Sequence, residues 1–208
     1  MVARLDHLTV VAPTLEVGAA YVEASIGVRP AAGRKHPSMG THNLLLALGS
    51  DVYLEVISVD PEASPVGRPR WFGLEHVHPG SPARLAAWVA STDDISNAAV
   101  RELGEVESMS REHHTWRMAV RADGQPPLDG AAPLLIQRSS SINPAAALPQ
   151  HGLHLRRLLV RHPAPSKVVS LLERIGLVSY PYVVTEGHEC RLCAEVQTPR
   201  GLRRLGEI

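Results

Sequence analysis

Two side chains interrupt apolar strands in a way that could support chemistry. The opening segment LDHLTVVA (5–12) alternates so that Leu5, His7, Thr9 and Val11 share one face, and Asp6, Leu8 and Val10 the other. His7 therefore stands on a mostly apolar row. Alone it reads as a hydrogen-bonded core histidine. Glu55 changes that reading, because it lies inside VYLEVI (52–57). A carboxylate there is expensive to bury unless it is paired, protonated or bound to a cation. In a curved sheet the two positions could meet across one concave face and share a metal, a water or a ligand group.

A second concentration is HPSMGTHN, from His36 to Asn43. It packs imidazoles, hydroxyls and an amide around Gly40, which permits a turn that other residues would strain. The chemical reading sets His36, Thr41 and Asn43 on the rim of that concave face; the plain reading is a polar hairpin loop. Weaker signals are read as structural. Cys190 and Cys193 have the spacing of a redox pair or half a zinc site, with His188 nearby. On a strand, however, residues three apart point to opposite faces. His76 with His78, and His113 with His114, read as surface histidines. The chain has no GxGxxG, P-loop or GxSxG pattern, so no nucleotide and no hydrolase triad are expected.

The elements that must position these residues repeat along the chain. After the first strand, Thr14 is placed to cap a helix whose Leu15, Ala19, Val22 and Ile26 form one apolar face, and Gly27 ends it. Strands follow at 28–34, 42–48 and 52–59, giving β-α-β-β-β over residues 1–60. Residues 61–81, rich in Pro, Gly and Arg, connect to the next unit, with Trp71 and Phe72 pinning them down. The pattern restarts over 82–142. A strand around 88–92 precedes a helix at 93–103, then come strands at 105–110, 115–122 and 134–139. A partial third copy, 151–208, has a strand at 155–160 and a helix capped by Ser166. Strands at 182–185 and 191–197 and a short one at 202–205 complete it. The fold class is α+β, with repeated βαβββ modules whose helices cover the outer face of a mixed sheet.

Composition narrows the function. Hydrophobic residues make up 44%, and Lys plus Arg equals Asp plus Glu at 21 each, so no general field attracts nucleic acid or a membrane surface. Arg200, Arg203 and Arg204 read as a solvated local patch. The first residues lack a signal-peptide pattern, no apolar run approaches a spanning length, and two cysteines make no disulfide framework. A cytoplasmic protein is expected.

The stretches LDHLTVVAPTLEVGAAYVEASIGV and HPSMGTHNLLLALGSDVYLEVI, with RWFGLEH, LAAWVASTDDI and PLLIQR further on, resemble the glyoxalase-like family of the vicinal-oxygen-chelate superfamily. The likeness covers roughly 5–139, and the third unit is similar to that family's C-terminal extension. The resemblance implies that two modules pair into a cup, with metal ligands from the first and last strands of each. Carried over, His7 and Glu55 are ligands in the first module, and Gln137 repeats Glu55 in the second. Leu85 falls where His7 repeats and cannot bind metal. A metal on His, Glu and Gln would be Zn, Ni, Mn or Fe, acting as a Lewis acid on substrate oxygens. Alternatively, Glu55 is a general base whose pKa is raised by apolar walls. Two functions stay open. One is a lyase, isomerase or oxygenase acting on a small molecule with vicinal oxygens, with His7 and Glu55 catalytic and His36, Thr41, Asn43 and Trp71 binding substrate. The other is a metal-free protein that sequesters a small ligand. The third unit, lacking a partner to complete a second cup, can either pack onto the first two modules or pair with the same unit of a second chain, and the homodimer is the favoured expectation.

Overall fold

Thr14 begins the first helix as its position requires: its Oγ1 accepts from the Val17 N–H at 3.2 Å, and Gly27 ends the helix with φ 81°. This helix, α1 (Leu15–Ile26), follows β1 (Ala3–Val11) and turns Ala19, Val22 and Ile26 inward. Then come β2 (Ala31–His36), β3 (Thr41–Ala47) and β4 (Tyr53–Val59). The chain restarts with β5 (Arg84–Thr92), the single-turn helix α2 (Ile95–Ala98), β6 (Glu105–Arg111), β7 (His114–Val120) and β8 (Leu134–Arg138). It ends with β9 (His154–His162), α3 (Pro165–Arg174), β10 (Tyr182–Glu186), β11 (Arg191–Thr198) and β12 (Gly201–Gly206). The computed structural model describes residues 2–111, 114–139, 143–177 and 182–208. His113 and Ile142, both used in the sequence reading, lie outside them. Among the described residues no helix is long and apolar enough to cross a membrane.

Eight strands form one curved mixed sheet in the order β2-β3-β4-β1-β5-β8-β7-β6. β1 lies parallel to β4 and β5 parallel to β8, while β1 and β5 run antiparallel at the centre. The two halves therefore mirror each other about the β1–β5 seam. The concave face is lined by an apolar cluster that includes Ile57, Trp71, Val89, Met118 and Ile136. The architecture is the cupped α+β sheet that the repeat implies.

The convex face supplies the main core, where Leu8, Val22, Trp88 and Leu135 pack with Leu158, Val168, Leu172 and Val196. Those last four belong to β9, α3 and β11. The second sheet, β10-β9-β11-β12, thus lays its inner face over the helices on the back of the first. Backbone bonds from Leu155 N to Leu48 O (3.1 Å) and from Ala3 N to Gly176 O (3.2 Å) tie the two together. Burial of this apolar face within one chain removes the physical reason for the homodimer expected from the third unit.

Two helices differ from their sequence readings. The segment 93–103 is not one helix: Ala99 and Val100 are extended (ψ 127° and 156°), so α2 stops after one turn and a 3₁₀ turn follows at Arg101–Leu103. Val100 is β-branched and prefers extended backbone, and Ile95, Ala98 and Leu103 still reach the core. α3 is not capped by Ser166, which lies inside it. Pro165 takes the first turn, where its missing N–H is no loss, and the Ala164 N–H before it is satisfied by His162 Nδ1 at 3.0 Å.

Candidate functional site

β1 carries a bulge between Leu5 and His7 in its pairing with β5. The extra residue is Asp6, and the bulge disturbs the simple alternation that would set it opposite His7. Its carboxylate accepts from His7 Nδ1 at 2.7 Å, so Asp6 and His7 act together. The other ring nitrogen, His7 Nε2, lies 3.4 Å from Glu55 Oε2. Glu55 Oε1 accepts from Asn43 Nδ2 at 2.6 Å, and Asn43 Oδ1 accepts from the Arg34 N–H at 2.6 Å. A continuous polar chain, Asp6–His7–Glu55–Asn43, therefore crosses β1, β4 and β3.

His7, Glu55 and Asn43 of this chain border a cavity of about 740 Å³ in the concave face. His7, Asn43, Tyr53 and Glu55 line it from the first half of the sheet. Trp116, Met118, Ile136 and Arg138 line it from the second, and Trp71 and Phe72 from the 61–81 connection. The Tyr53 ring stacks on His7 (centroids 4.6 Å apart, 18° between planes). Arg138 closes the cluster: it donates to both oxygens of Asp6, at 2.6 and 3.2 Å, and to Tyr53 Oη at 3.0 Å. Asn143 Nδ2 donates to Asp6 Oδ2 at 3.3 Å. Trp71 and Phe72 are presented by a tight turn in which Phe72 takes φ 58°, a left-handed conformation that is strained for a residue with a Cβ. Gly73 follows in the same region and donates its N–H to Gly124 O at 2.9 Å.

The electrostatics follow from pairing. Burial alone would depress the His7 pKa, but hydrogen bonds to Asp6 and Glu55 and their charges outweigh it and raise it. Burial alone would raise Glu55; its bond and charge interaction with His7, then His36 and Asn43, bring it below the usual range. This is opposite to the raised pKa expected from apolar walls, because the wall beside Glu55 carries imidazole. Asp6 is likewise held well below the carboxylate range, by His7 and Arg138 against the effect of burial. Burial, with the Asp6 charge, pushes the Tyr53 phenol well up, so it keeps its proton. These directions all favour a carboxylate–imidazolium–carboxylate row beside a guanidinium.

The remaining residues singled out in the sequence divide clearly. His36 lines the cavity edge-on to Trp71 (centroids 5.3 Å apart), and its Nδ1 lies 3.2 Å from Thr41 Oγ1. Thr41 is buried and supports His36 from β3. Gln137 is not in the cup. Ile136 and Arg138 take the concave face, so Gln137 points to the convex side, where its Oε1 accepts from the Ile95 N–H at 3.1 Å and caps α2. Leu85 is also in the convex core, and the residue paired directly across from His7 is Val89. Asp6, Tyr53, Arg138 and Asn143 escaped the sequence reading; an arginine ending the apolar run LLIQR was the available signal.

A divalent metal does not fit these residues. A catalytic site of this kind takes about three protein donors plus a substrate or water. Here the donors facing one another are His7 Nε2 and Glu55 Oε2, while the opposing positions hold Val89, Ile136 and the Arg138 cation. Among the described residues no group of three or more His, Cys, Asp or Glu side chains gathers to hold a metal ion.

The sequence model of the glyoxalase-like domain matches residues 5–176, a span that takes in the whole cup. The chain belongs to the glyoxalase-like domain family. It is thereby a member of the vicinal-oxygen-chelate superfamily, as the resemblance in its first strand, its HPSMGTHN segment and its YLE strand implies. Among solved structures, this glyoxalase-like chain is similar to a hypothetical protein from Staphylococcus aureus, with 15% identity and a TM-score of 0.60 over 91% of this chain and 88% of that one. At that identity the likeness shows the fold alone. A methylmalonyl-CoA epimerase from Streptomyces coelicolor, in complex with 2-nitronate-propionyl-CoA, is similar over 69% of this chain and 99% of its own, at 18% identity and TM-score 0.43. One from Mycobacterium tuberculosis is similar over 64% and 85%, at 16% and 0.40. Scores that low carry no argument about substrate. No curated protein matches the chain.

Proposed function

We propose that this glyoxalase-like protein takes a small carbonyl-bearing molecule into the cup and catalyses proton transfer on it, an isomerase-type reaction, with Glu55 as base and His7 as acid. The observation that carries the reading is the 3.4 Å approach of His7 Nε2 to Glu55 Oε2 on the cavity wall, with Asp6 fixing the far side of the imidazole. The lowered Glu55 and raised His7 pKa values favour an ionised carboxylate and a protonated imidazole, the forms such an exchange needs. Glu55 would take the proton from the carbon beside the carbonyl. The C–H electron pair moves into a carbon–carbon double bond, and the carbonyl oxygen receives the Nε2 proton of His7. Reversal returns a proton to carbon, so no outside reactant is consumed. None of these steps uses a metal.

The test is deuterium exchange. Small ketones and acyl thioesters are incubated with the protein in D2O after chelator treatment, and exchange at the carbon beside the carbonyl is followed by NMR. Protein-dependent exchange that Glu55→Gln abolishes supports the reading. Exchange that returns only with added divalent metal, or persists in Glu55→Gln, sinks it. The apolar second half of the cup, with Val89, Met118 and Ile136, favours a second reading, a binding protein that performs no chemistry. Saturable binding of a probe without exchange would select it.

A further inference from the structure

We infer that Arg138 is an anion anchor, and that the cup is built for a small monoanion with an aromatic ring, such as an aromatic carboxylate that also carries an enolisable carbonyl, rather than for a neutral molecule or a metal chelate. This deepens the proposed function and rests on its placement of the ligand in the cup.

The first argument is the fixing of the guanidinium. Asp6 takes Nε and one terminal nitrogen of Arg138, and Tyr53 Oη takes a further bond from that same nitrogen. Asp6 is in turn held by His7 and Asn143, and its side chain is only 1% exposed. A planar fork locked along one edge presents its other edge in one orientation. Among the described residues, the second terminal nitrogen, Nη1, makes no hydrogen bond. The Arg138 side chain keeps 22% exposure and lines the cavity.

The second argument is the sign of the wall. Asp6 lies behind the wall, fully buried, so among the described residues the charged groups that meet beside it on the cavity surface are Arg138 and His7 against Glu55. The row is balanced once Asp6 is included, but Asp6 is sealed away, so an entering ligand meets the open edge of the Arg138 cation, in a partly water-excluded cup where charge interactions are stronger than in bulk water. The third is the shape of the remainder. Trp71, Phe72, Trp116 and Met118 supply flat, apolar surface, suited to a ring whose charged end meets Arg138. Tyr53 bridges the anchor and the proton-transfer pair, stacking on His7 while accepting from Arg138. A ligand held at Arg138 is thus one ring away from His7 and Glu55.

Benzoate is the probe, followed by tryptophan fluorescence. Of the three tryptophans in the chain, Trp71 and Trp116 line the cup, and Trp88 is sealed in the convex core. Saturable quenching by benzoate is expected, unchanged by chelator, and benzyl alcohol of similar shape should bind about tenfold or more weaker. Arg138→Gln should weaken benzoate by a similar factor. Because that change strands Asp6, the double variant Asp6→Asn/Arg138→Gln, which removes both charges together, is measured alongside with a melting curve. Equal binding of benzyl alcohol, undiminished benzoate binding in the folded double variant, or no benzoate binding at all would overturn the anchor. Benzoate binding that depends on Arg138, in a protein that exchanges no ketone deuterium, would leave the anchor standing and remove only the proton-transfer function.

Discussion

The cup of the first sheet and the outer face of the second each bury a glutamate in mid-strand, and they treat it in opposite ways. Glu195 on β11 sits between Arg157 of β9 and Arg204 of β12, directly across in register. Each of its oxygens receives two N–H bonds, at 2.7 and 3.0 Å from Arg157 and 2.9 and 3.2 Å from Arg204. Glu55 on β4 has an imidazole and an amide instead, on the wall of a cavity. Arginine never gives up its proton under ordinary conditions, so the Glu195 row is a closed clamp. Histidine can give one up, so the Glu55 row can change state when something enters. A carboxylate in an apolar strand therefore marks a place that needs a partner. The nature of the partner separates a fastening from a site.

The largest effect that separates the two is on exchange. Glu55→Gln should lower proton exchange by about 10²–10⁴-fold, the usual weight of a positioned acid–base group, while the melting temperature moves little. An unfolded Glu55→Gln protein would class Glu55 with Glu195 as a fastening. Next comes Asp6→Asn, which leaves the largely buried Arg138 without its anion. Breaking such a pair typically costs about 3–5 kcal/mol, and chemical denaturation of the single variant would show it. A loss well under that, with exchange intact, would mean that Asp6 neither braces Arg138 nor orients His7. Glu195→Gln should cost less, no more than about 1 kcal/mol, because its arginines are largely exposed and solvent screens them. Benzoate binding in the cup should not change. Weakened benzoate binding in that variant would tie the two faces together and break the distinction.

The sequence made part of this legible. His7 and Glu55 stood out because each interrupts an apolar strand, and period-two alternation could say which residues are misfits. It could not say that β1 bulges at Asp6, because a bulge is decided by pairing with β5, a partner some eighty residues away in the chain. The same limit explains Gln137 and Arg138. They are adjacent on a strand, so a slip of one residue in aligning the repeats exchanges the convex face for the cup. The helix at 93–103 had the right apolar spacing, yet the same core contacts are made by one helical turn and a 3₁₀ turn. The fold-level repeat survived such local errors because it rests on many residues; a site rests on single ones.

The smallest expected effect is also the most specific to the comparison, and it lies in the pH dependence of stability. His7 has a raised folded pKa, so its contribution is full below its ordinary value near 6.5 and is lost as pH rises through the folded value. Glu55, Asp6 and Glu195 have lowered folded pKa values, so theirs are full above the ordinary carboxylate range near 4 and are lost as pH falls. Wild-type melting temperature should therefore be highest between the two limits. Glu55→Gln takes from His7 one of the two carboxylates that raise its pKa. Its alkaline decline should begin at lower pH than in the wild type. Among the described residues Glu195 bonds only to Arg157 and Arg204 and to no histidine, so Glu195→Gln should flatten only the acid limb and leave the alkaline one in place. Melting curves from about pH 4 to 10 on the three proteins decide it. An alkaline limb unmoved by Glu55→Gln would mean that His7 does not hold its proton through Glu55, and the two glutamates would then differ only in where they are buried.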